Sequence, residues 1–544
     1  MQNLTMKKLT IFSLLVFSFA ATQAQDTLRK REVNITSTFK PSLKEAAKIN
    51  INATPPTPDT TPPRLQYSIP NQNLVFSFQP GSLKPLALDV DTGGNWSNDN
   101  YVKIGYGNFN TPYVQGGFSM GNDKSGVNAY ARHYSSKGKL ENQDVSHTNV
   151  DLHGYFQTST NLEWNARIGG QQQGYKKFGY EPKGIAVPED SLDVKFTTWR
   201  GRISMHNINR TELGISFAPE VKVDAFKDNL DNSESNSYFH LPMRKAVGES
   251  FLADLAIEGQ VSTYSPEEKN KVKNNFFSFA PALHYKAQAF SIQAGLKPSW
   301  ENGNFNLFPN LMAEVSSKDK KFAIQAGWTG YFRYSGYQYL ADMNPWLWAP
   351  DQTFNSIVEE RFGGLKGSVG DHISYGAKIA FNTIKNQPLF INDTMTGKSF
   401  LVLNEPEMDV VNIGGELGYT VGEKFSFITT VAFNKFSTEL NEKAWGLIPV
   451  EFNSKVRVQV LQDLYVNGNI YAFDGPWALD KNGRTNMKGG VDLSGGLEFR
   501  IVPNIKLWLQ FNNILGKDYQ RWNQYPNYGL NFLGGVVFSF AQNK

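Results

Sequence analysis

The feature that most constrains the fold is a period-two alternation of apolar and polar residues between Pro503 and Phe540. In the first segment the apolar residues Ile505, Leu507, Leu509 and Phe511 alternate with Lys506, Trp508, Gln510 and Asn512. In the second segment the apolar residues Leu530, Phe532, Val536, Phe538 and Phe540 alternate with Asn531, Gly535 and Ser539. Successive side chains of a strand point to opposite faces, so this period predicts two strands, each with one apolar and one polar face.

The same alternation recurs from about Tyr101 onward, in segments of about 10 residues that are parted alternately by short turns and long polar loops. The short turns include Lys286–Ala289, Gly370–Asp371 and Gly422–Glu423, and Gln171–Asp190 is one of the long loops. This arrangement is typical of outer-membrane barrels. We therefore predict an all-β transmembrane antiparallel β-barrel over residues 99–541.

The strand count is less sharply defined than the fold. We predict about 22 strands, within a range of 18–22, and the number is even if both chain ends lie in the periplasm. Residues 224–272 fit either two or four strands, with the junction at Asp231–Asn236.

The N-terminus carries the pattern of a secretory signal over residues 1–24. Lys7 and Lys8 precede the apolar run Leu9–Ala21, and Thr22-Gln23-Ala24 offers small residues on both sides of a cleavage site. Cleavage is expected between Ala24 and Gln25. The apolar run is too short to span a bilayer as an anchor.

Residues 25–98 form a segment of different character. Its proline-rich stretch, Pro55–Pro63, cannot sustain a helix or a sheet and favours an extended chain. We expect this segment to lie in the periplasm or in the barrel lumen. Two interpretations stay open: an element that binds a partner or occupies the pore, and a disordered leader into the barrel.

The composition narrows the possible chemistry. The chain has no cysteine, which excludes disulfides and thiolate chemistry, and its formal charge of +4 gives no indication of a nucleic-acid partner. The seven histidines show no metal-binding spacing, so neither a metal nor a cofactor is predicted. The motif Gly117-Phe118-Ser119-Met120-Gly121 is not followed by a helical pattern, as a nucleophile elbow requires. We therefore predict no enzyme activity.

The polar members of the alternating segments define the predicted lumen wall. Its candidate charged residues are Lys455, Arg457, Asp492, Glu498 and Arg500. Both signs of charge occur, which favours a solvated, self-paired wall over a selectivity surface. If the register is correct, arginine at Val491 or Leu493 should destabilise the barrel by ~2–4 kcal/mol, whereas arginine at Asp492 or Ser494 should not.

Two loops have compositions that ordinary solvated loops lack. The segment Tyr334–Pro350 carries Tyr337, Tyr339, Trp346 and Trp348. It is a candidate ligand surface, partner surface or lid over the barrel mouth, while the alternative is an aromatic girdle at the lipid interface, which also accounts for Trp508. Pro388–Leu403 is expected to be an exposed hairpin and a docking edge.

The C-terminal run from Asn513 resembles the end of TonB-dependent receptor barrels. That family ends in an Asn-(Leu/Ile)-x-(Asn/Gly)-Lys-x-Tyr strand, a loop with Tyr-Pro-x-x-Gly, and a last strand that closes on Phe. The corresponding residues here are Asn513, Ile514, Gly516, Lys517, Tyr519, Tyr525, Pro526, Gly529, Phe538 and Phe540. The resemblance implies a receptor-type barrel in the bacterial outer membrane, in contact with its lipid and, in a complex, with other outer-membrane or periplasmic proteins.

The resemblance stops at the N-terminus. Receptors of this family carry a large plug domain with a glycine-rich sheet pattern, and residues 25–98 lack that pattern. Our first hypothesis is therefore a plugless receptor-like barrel that acts in transport or as a subunit of an outer-membrane complex. The second is a passive porin-like channel constricted by residues 171–190 and 335–354, and an outer-membrane enzyme comes third.

Three triplets suggest the bacterial phylum. Asp26-Thr27-Leu28, Asp190-Ser191-Leu192 and Asp393-Thr394-Met395 are similar to the Asp-(Ser/Thr)-apolar O-glycosylation sites of Bacteroidetes. The leader ending in Ala-Gln also resembles leaders of that phylum. The sequence thus resembles a receptor-like barrel of Bacteroidetes type.

Overall fold

The computed structural model describes residues 100–540 except 123, 180–187, 320 and 423. These residues form an antiparallel barrel of 22 strands, which we number β1–β22 in chain order. Each strand pairs with the next along the chain, and the barrel closes because the first strand pairs with the last, from Asn100 opposite Phe540 to Gly107 opposite Leu533. The predicted fold class and a strand count of 22 are confirmed.

The strand bounds are as follows. The first eleven are β1 Asn100–Gly107, β2 Thr111–Gly121, β3 Ser125–Ser136, β4 Val145–Gln157, β5 Leu162–Lys176, β6 Asp193–Asn207, β7 Glu220–Asp228, β8 Ser233–Val247, β9 Phe251–Ser265, β10 Phe276–Lys286 and β11 Phe290–Glu301. The others are β12 Asn304–Ser316, β13 Phe322–Arg333, β14 Ser356–Val369, β15 Ile373–Asn392, β16 Phe400–Val421, β17 Phe425–Thr438, β18 Val450–Leu461, β19 Leu464–Phe473, β20 Gly490–Val502, β21 Ile505–Asn512 and β22 Asn531–Phe540.

The side chains of the wall follow the period-two pattern. In β20 the outward residues Val491 and Phe499 are 39% and 46% exposed, whereas the inward residues Asp492 and Glu498 are 2% and 6% exposed. Because successive side chains of a strand point to opposite faces, the apolar set covers the outside of the barrel and the polar set lines its interior.

The two ends of the barrel differ in the length of their connections. Between β14 and β15 the chain turns at Gly370 (φ 60°), and between β16 and β17 it turns at Gly422 (φ 51°), at the end where Asn100 and Phe540 lie. Glycine adopts this left-handed backbone without a steric penalty. The opposite end, which we call the long-loop end, carries the connections 334–355, 439–449, 474–489 and 513–530, together with the described residues 177–179 and 188–192.

Of the two interpretations of residues 224–272, the one with two strands is the nearer: they contain all of β8 and β9 and the end of β7, with a tight turn at Asp231 (φ 62°). Two other predicted boundaries were wrong. Gln171–Lys176 belongs to β5 rather than to a loop. The segment Asn513–Tyr519 is not a strand, because β21 ends at Asn512 and Asn513 turns the chain (φ 47°).

Regular structure outside the wall is short. It comprises a 3-10 helix at Glu189–Leu192, an α-helix, α1, at Tyr337–Met343, and the two-stranded pairs Trp477–Asp480 with Gly483–Asn486 and Gln520–Trp522 with Tyr525–Pro526. Two further short strands, Ile215–Phe217 and Val272–Lys273, pair with β8 and β9. In the part of the chain that the structure describes, no helix is long and apolar enough to cross a bilayer. The predicted signal peptide, with its cleavage site at Ala24 and Gln25, and the segment 25–98 lie outside the described residues.

Candidate functional site

The long-loop end of the barrel carries a packed structure that we call the lid, made of residues 334–355, 388–403 and 513–530. Many of its apolar side chains pack with wall residues near the long-loop end in one buried cluster. The lid contributes Tyr337, Leu340, Ala341, Met343, Leu347, Phe390, Phe400, Trp522 and Tyr525 to this cluster. Segments from distant parts of the sequence therefore pack together at the long-loop end.

Helix α1 is anchored to the wall through its first residue. Tyr337 is 2% exposed, and its hydroxyl donates to Asp228 Oδ2 at 2.8 Å, while its backbone N–H donates to Glu234 Oε2 at 2.5 Å. The ring packs edge-on against Phe196 and Phe226. Burial raises the pKa of Tyr337 well above its ordinary value, with a further contribution from Asp228. Because its hydrogen bonds and its ring are buried against the wall, this side chain holds the helix and has no surface for a ligand.

Trp346 connects the segment after α1 to the C-terminal part of the lid. Its ring stacks on that of Tyr525, with centroids 3.9 Å apart, and Phe178 packs edge-on against both rings. The indole Nε1 of Trp346 donates to the carbonyl oxygen of Lys176 at 2.9 Å. The hydroxyl of Tyr525 donates to the carbonyl oxygen of Lys398, so all three lid segments meet here.

The hairpin Pro388–Leu403 is not the exposed docking edge that its sequence suggested. The pairing of β15 with β16 skips a residue between Lys385 and Gln387, where Asn386 has a φ of 55°. Beyond this irregularity both arms of the hairpin carry buried residues, such as Leu389 at 0% and Phe390 at 2% exposure, whereas Met395 at its tip is 78% exposed. The hairpin is therefore an integral part of the lid.

The receptor-like C-terminal residues fall into two groups. Tyr519 and Tyr525 are buried in the lid at 7% and 4% exposure, with Pro526 beside them and Gly529 in the left-handed region (φ 69°). Phe538 and Phe540 lie on the outer face of β22 at 48% and 37% exposure. The loop motif thus forms part of the lid, and the two phenylalanines belong to the outer apolar surface.

The four aromatic residues predicted for a ligand or partner surface differ in exposure. Tyr339 and Trp346 are partly buried, and Trp348, at 55%, is the one that is largely exposed. The Lys177 ammonium lies 5.4 Å from the centre of the Trp348 ring. Burial lowers the pKa of Lys177 despite the opposing effects of Asp393 and Asp228. A partner surface on this loop stays a prediction, now centred on Trp348.

The predicted lumen-wall residues lie on β18 and β20. Glu498 interacts electrostatically with Lys103, Arg457 and Lys506, and Arg500 lies 3.5 Å from Asp463. The Arg457 guanidinium is 4.8 Å from the centre of the Tyr465 ring, and Lys455 is half-buried on the same strand.

Asp492 is the wall residue whose environment differs most from expectation. Its carboxylate accepts hydrogen bonds from the Ser494 hydroxyl at 2.6 Å and the Tyr519 hydroxyl at 3.0 Å, at 2% exposure. That arginine is tolerated at Asp492 or at the buried Ser494 stays a prediction, and these contacts argue against it, because either substitution would disrupt a buried hydrogen-bonded group.

The interpretation that placed Trp508 in an aromatic girdle at the lipid interface was also wrong. It is 4% exposed on the inner face, where its Nε1 donates to the carbonyl oxygen of Ile104 at 3.2 Å and the Lys103 ammonium lies 4.3 Å from its ring centre. Trp508 alternates with the apolar residues of β21, and this position predicted the inner face more reliably than its residue type.

The sequence reading missed an arginine-rich part of the inner wall. A cavity of about 340 Å³ faces β3–β7 and is lined by Arg132, Arg167, Arg200, Arg202, Lys222, Asp151 and Asp224, among others. Arg167 is hydrogen-bonded to Asp151, and Arg202 is paired with Glu220. The spacing of Arg200 and Arg202 on one face of a strand was the signal available in the sequence.

Ser119, from the Gly-x-Ser-x-Gly match, lies within β2 at 3% exposure, where its hydroxyl donates to Asn128 Oδ1 at 2.6 Å. A straight strand does not have the geometry of a nucleophile elbow. Within residues 100–540, apart from the gaps in their description, no group of three or more histidine, aspartate and glutamate side chains is placed to hold a metal ion.

Comparison with known proteins shows similarity in structure only. No protein-family model matches the sequence, and no curated protein matches it. Among solved structures, an iron transporter FrpB variant from Neisseria meningitidis has a TM-score of 0.65 and 9% identity, covering 82% of this chain and 83% of that chain. The siderophore receptor PirA from Acinetobacter baumannii has a TM-score of 0.62 and 11% identity, covering 81% and 80%. The copper transporter OprC has a TM-score of 0.58 and 12% identity, covering 81% and 80%. The chain therefore has the barrel fold of these transporters and this receptor.

Proposed function

We propose that the protein is an integral barrel of the bacterial outer membrane that acts in transport or as a subunit of an outer-membrane complex, with the lid closing its long-loop end. The membrane location is supported by the outward apolar residues, which are too numerous and too exposed for a soluble surface. Ile168, Leu296 and Ile324, for instance, are 62%, 53% and 51% exposed on three separate strands.

The observation that carries the proposal is the packing of the lid. Trp522 is 1% exposed and lies between Phe390 and Phe400, with ring centroids 5.0 and 5.3 Å away. Packed aromatic rings of this kind exclude water. We propose that the lid, rather than a separate plug domain, closes the barrel, and that the similarity of the barrel to transporters reflects a receptor-type role.

Conductance in planar bilayers tests the closed lid. The wild-type mature protein should be silent, Trp522→Ala should produce current because it removes the centre of the lid, and Trp348→Ala should stay silent. The last two variants form a matched pair, since both shorten a lid tryptophan but one is buried and the other is 55% exposed. A steady wild-type current would contradict the closed lid.

The passive channel is the second candidate, and the arginine-lined cavity of about 340 Å³ favours it, because a polar interior of this size holds water. Anion-selective steady conductance of the wild type would establish that function. A current that appears only in Trp522→Ala would instead support the receptor or complex role.

We further propose that partners in an outer-membrane complex bind the exposed Trp348 surface or the segment 25–98, which we place in the periplasm or the lumen. The test is a gentle-detergent purification of the tagged protein from native outer membranes, with the wild type, Trp348→Ala and a variant lacking residues 26–90. A stoichiometric protein lost from one variant identifies its docking site. Equal recovery from all three would contradict both docking sites.

A further inference from the structure

Arg521, in the C-terminal segment of the lid, is a buried cation that the closure of the barrel does not explain. It is 5% exposed, and none of its three guanidinium nitrogens has a hydrogen-bond acceptor among the described residues. A guanidinium has five N–H donors, and leaving them unpaired away from water is unfavourable. A group in this state is suited to receive an anion.

The side chain of Arg521 lies at the edge of a cavity. Its guanidinium carbon lies 4.3 Å from the centre of the Trp522 ring, and its side chain lines a cavity of about 60 Å³ under the lid. Burial lowers the pKa of Arg521 to about 10, with Tyr471 and Glu451 acting in the opposite direction. The side chain is therefore still a cation at neutral pH.

The nearby carboxylates have their own partners. Asp492 accepts hydrogen bonds from Ser494 and Tyr519, and Asp144 lies 3.9 Å from the Lys176 ammonium. Glu451 accepts a hydrogen bond from the Tyr471 hydroxyl at 2.7 Å. In the described chain no hydrogen bond joins any of these carboxylates to Arg521. The guanidinium therefore keeps its donors for a ligand.

The rest of the cavity indicates what else the ligand carries. Asn513 lines it with a buried side-chain oxygen, Oδ1, that accepts no hydrogen bond from the residues the structure describes. The rings of Tyr175, Trp346 and Tyr525 form much of the rest of the cavity lining. A buried acceptor is satisfied by a hydroxyl donor, and the small volume admits a head group of only a few atoms.

We propose that this cavity binds a small anionic head group that also carries a hydroxyl, such as that of a hydroxy acid or a phosphate. Arg521 pairs with the anionic oxygens, because a planar guanidinium matches carboxylate and phosphate geometry. Asn513 accepts a hydrogen bond from the hydroxyl. The site lies between the lid and the barrel wall, and its proposed role is independent of whether the barrel conducts.

The test is thermal unfolding of the full mature protein in detergent, followed by tryptophan fluorescence, with glycolate or inorganic phosphate added at constant ionic strength against chloride. Glycolate or phosphate should raise the unfolding temperature of the wild type, and acetate, which lacks the hydroxyl, should raise it less. A response to glycolate alone indicates a hydroxy acid, and a response to phosphate alone indicates a phosphate. A wild type that responds to neither would overturn the proposal without any variant.

Substitutions assign the response to the site. Arg521→Met should weaken binding by about tenfold or more, since it removes a charge-assisted hydrogen bond, and should raise the anion-free unfolding temperature by removing a buried charge. Asn513→Ala should remove the preference for glycolate over acetate. Arg484→Met is the control, because that exposed cation pairs with Glu442 outside the cavity. An unchanged response in Arg521→Met, or equal losses in Arg521→Met and Arg484→Met, would contradict the assignment.

Discussion

The barrel wall and the lid use the same kinds of residue but direct them in opposite ways. The wall turns apolar side chains outward, as with Ile168 at 62% exposure, and keeps polar groups such as Asp492 inside. The lid turns aromatic side chains inward, with Trp522 at 1% and Phe390 at 2%. The wall is therefore organised for contact with lipid, and the lid is organised as a small soluble core, so the two should respond to different substitutions.

The largest expected effect is on the lid core. Trp522→Ala removes a fully buried ring, so the free energy of unfolding of the lid should fall by about 3–5 kcal/mol. Hydrogen exchange should then show loss of protection in residues 334–355 and 388–403, while the backbone of residues 404–421 and of β17 stays protected. Equal loss of protection in lid and wall would mean that the two are one cooperative unit.

A wall substitution of comparable size should act through lipid instead. Leu417 is 43% exposed on the outer face of β16, so Leu417→Arg should destabilise the barrel by about 2–4 kcal/mol in bilayers. Thr430→Arg is the matched control, because Thr430 lies opposite the inward Glu416. Urea unfolding in lipid vesicles measures both variants. Equal losses for the two would contradict the assignment of the outer face.

A smaller effect is expected where the lid is anchored to the wall. Tyr337→Phe removes the hydrogen bond to the Asp228 carboxylate, so the lid should lose about 1.5–3 kcal/mol. Hydrogen exchange in α1 reports this change. Tyr339→Phe is the control, because no described residue forms a hydrogen bond with its hydroxyl. If both variants exchange equally fast, the anchor does not depend on Asp228.

The smallest effect is expected at the rim of the lid. Lys269 and Asp351 form an ion pair with side chains 52% and 70% exposed. Lys269→Ala should change lid stability by about 0–1 kcal/mol, because exposed ion pairs are well solvated. The same exchange measurement applies, and a loss as large as that of Tyr337→Phe would show that the rim, rather than the core, holds the lid.

The same contrast explains what could be predicted from sequence. The wall was predictable because the period of two is a local property of the sequence. The alternation alone assigns Val491 to the outer face of the barrel and Asp492 to the inner face. The lid was only one of four interpretations of the loop 334–350, because the packing that shows it depends on contacts between distant residues, such as that of Phe390 with Trp522. Trp508 lies between these cases: its register indicated the lumen, but its residue type suggested the lipid interface.

The order in which the chain can assemble follows from how the barrel closes. The hydrogen bond from Trp508 to Ile104 spans 404 positions in the sequence, and β1 gains its second neighbour only when β22 arrives. Contacts that close such long loops form slowly. The lid draws on residues 513–530, which lie just before β22, so a complete lid requires nearly the whole chain. A protease-resistant lid would thus mark molecules whose synthesis and insertion have finished, and a chain truncated before residue 513 would expose Phe390 and Phe400.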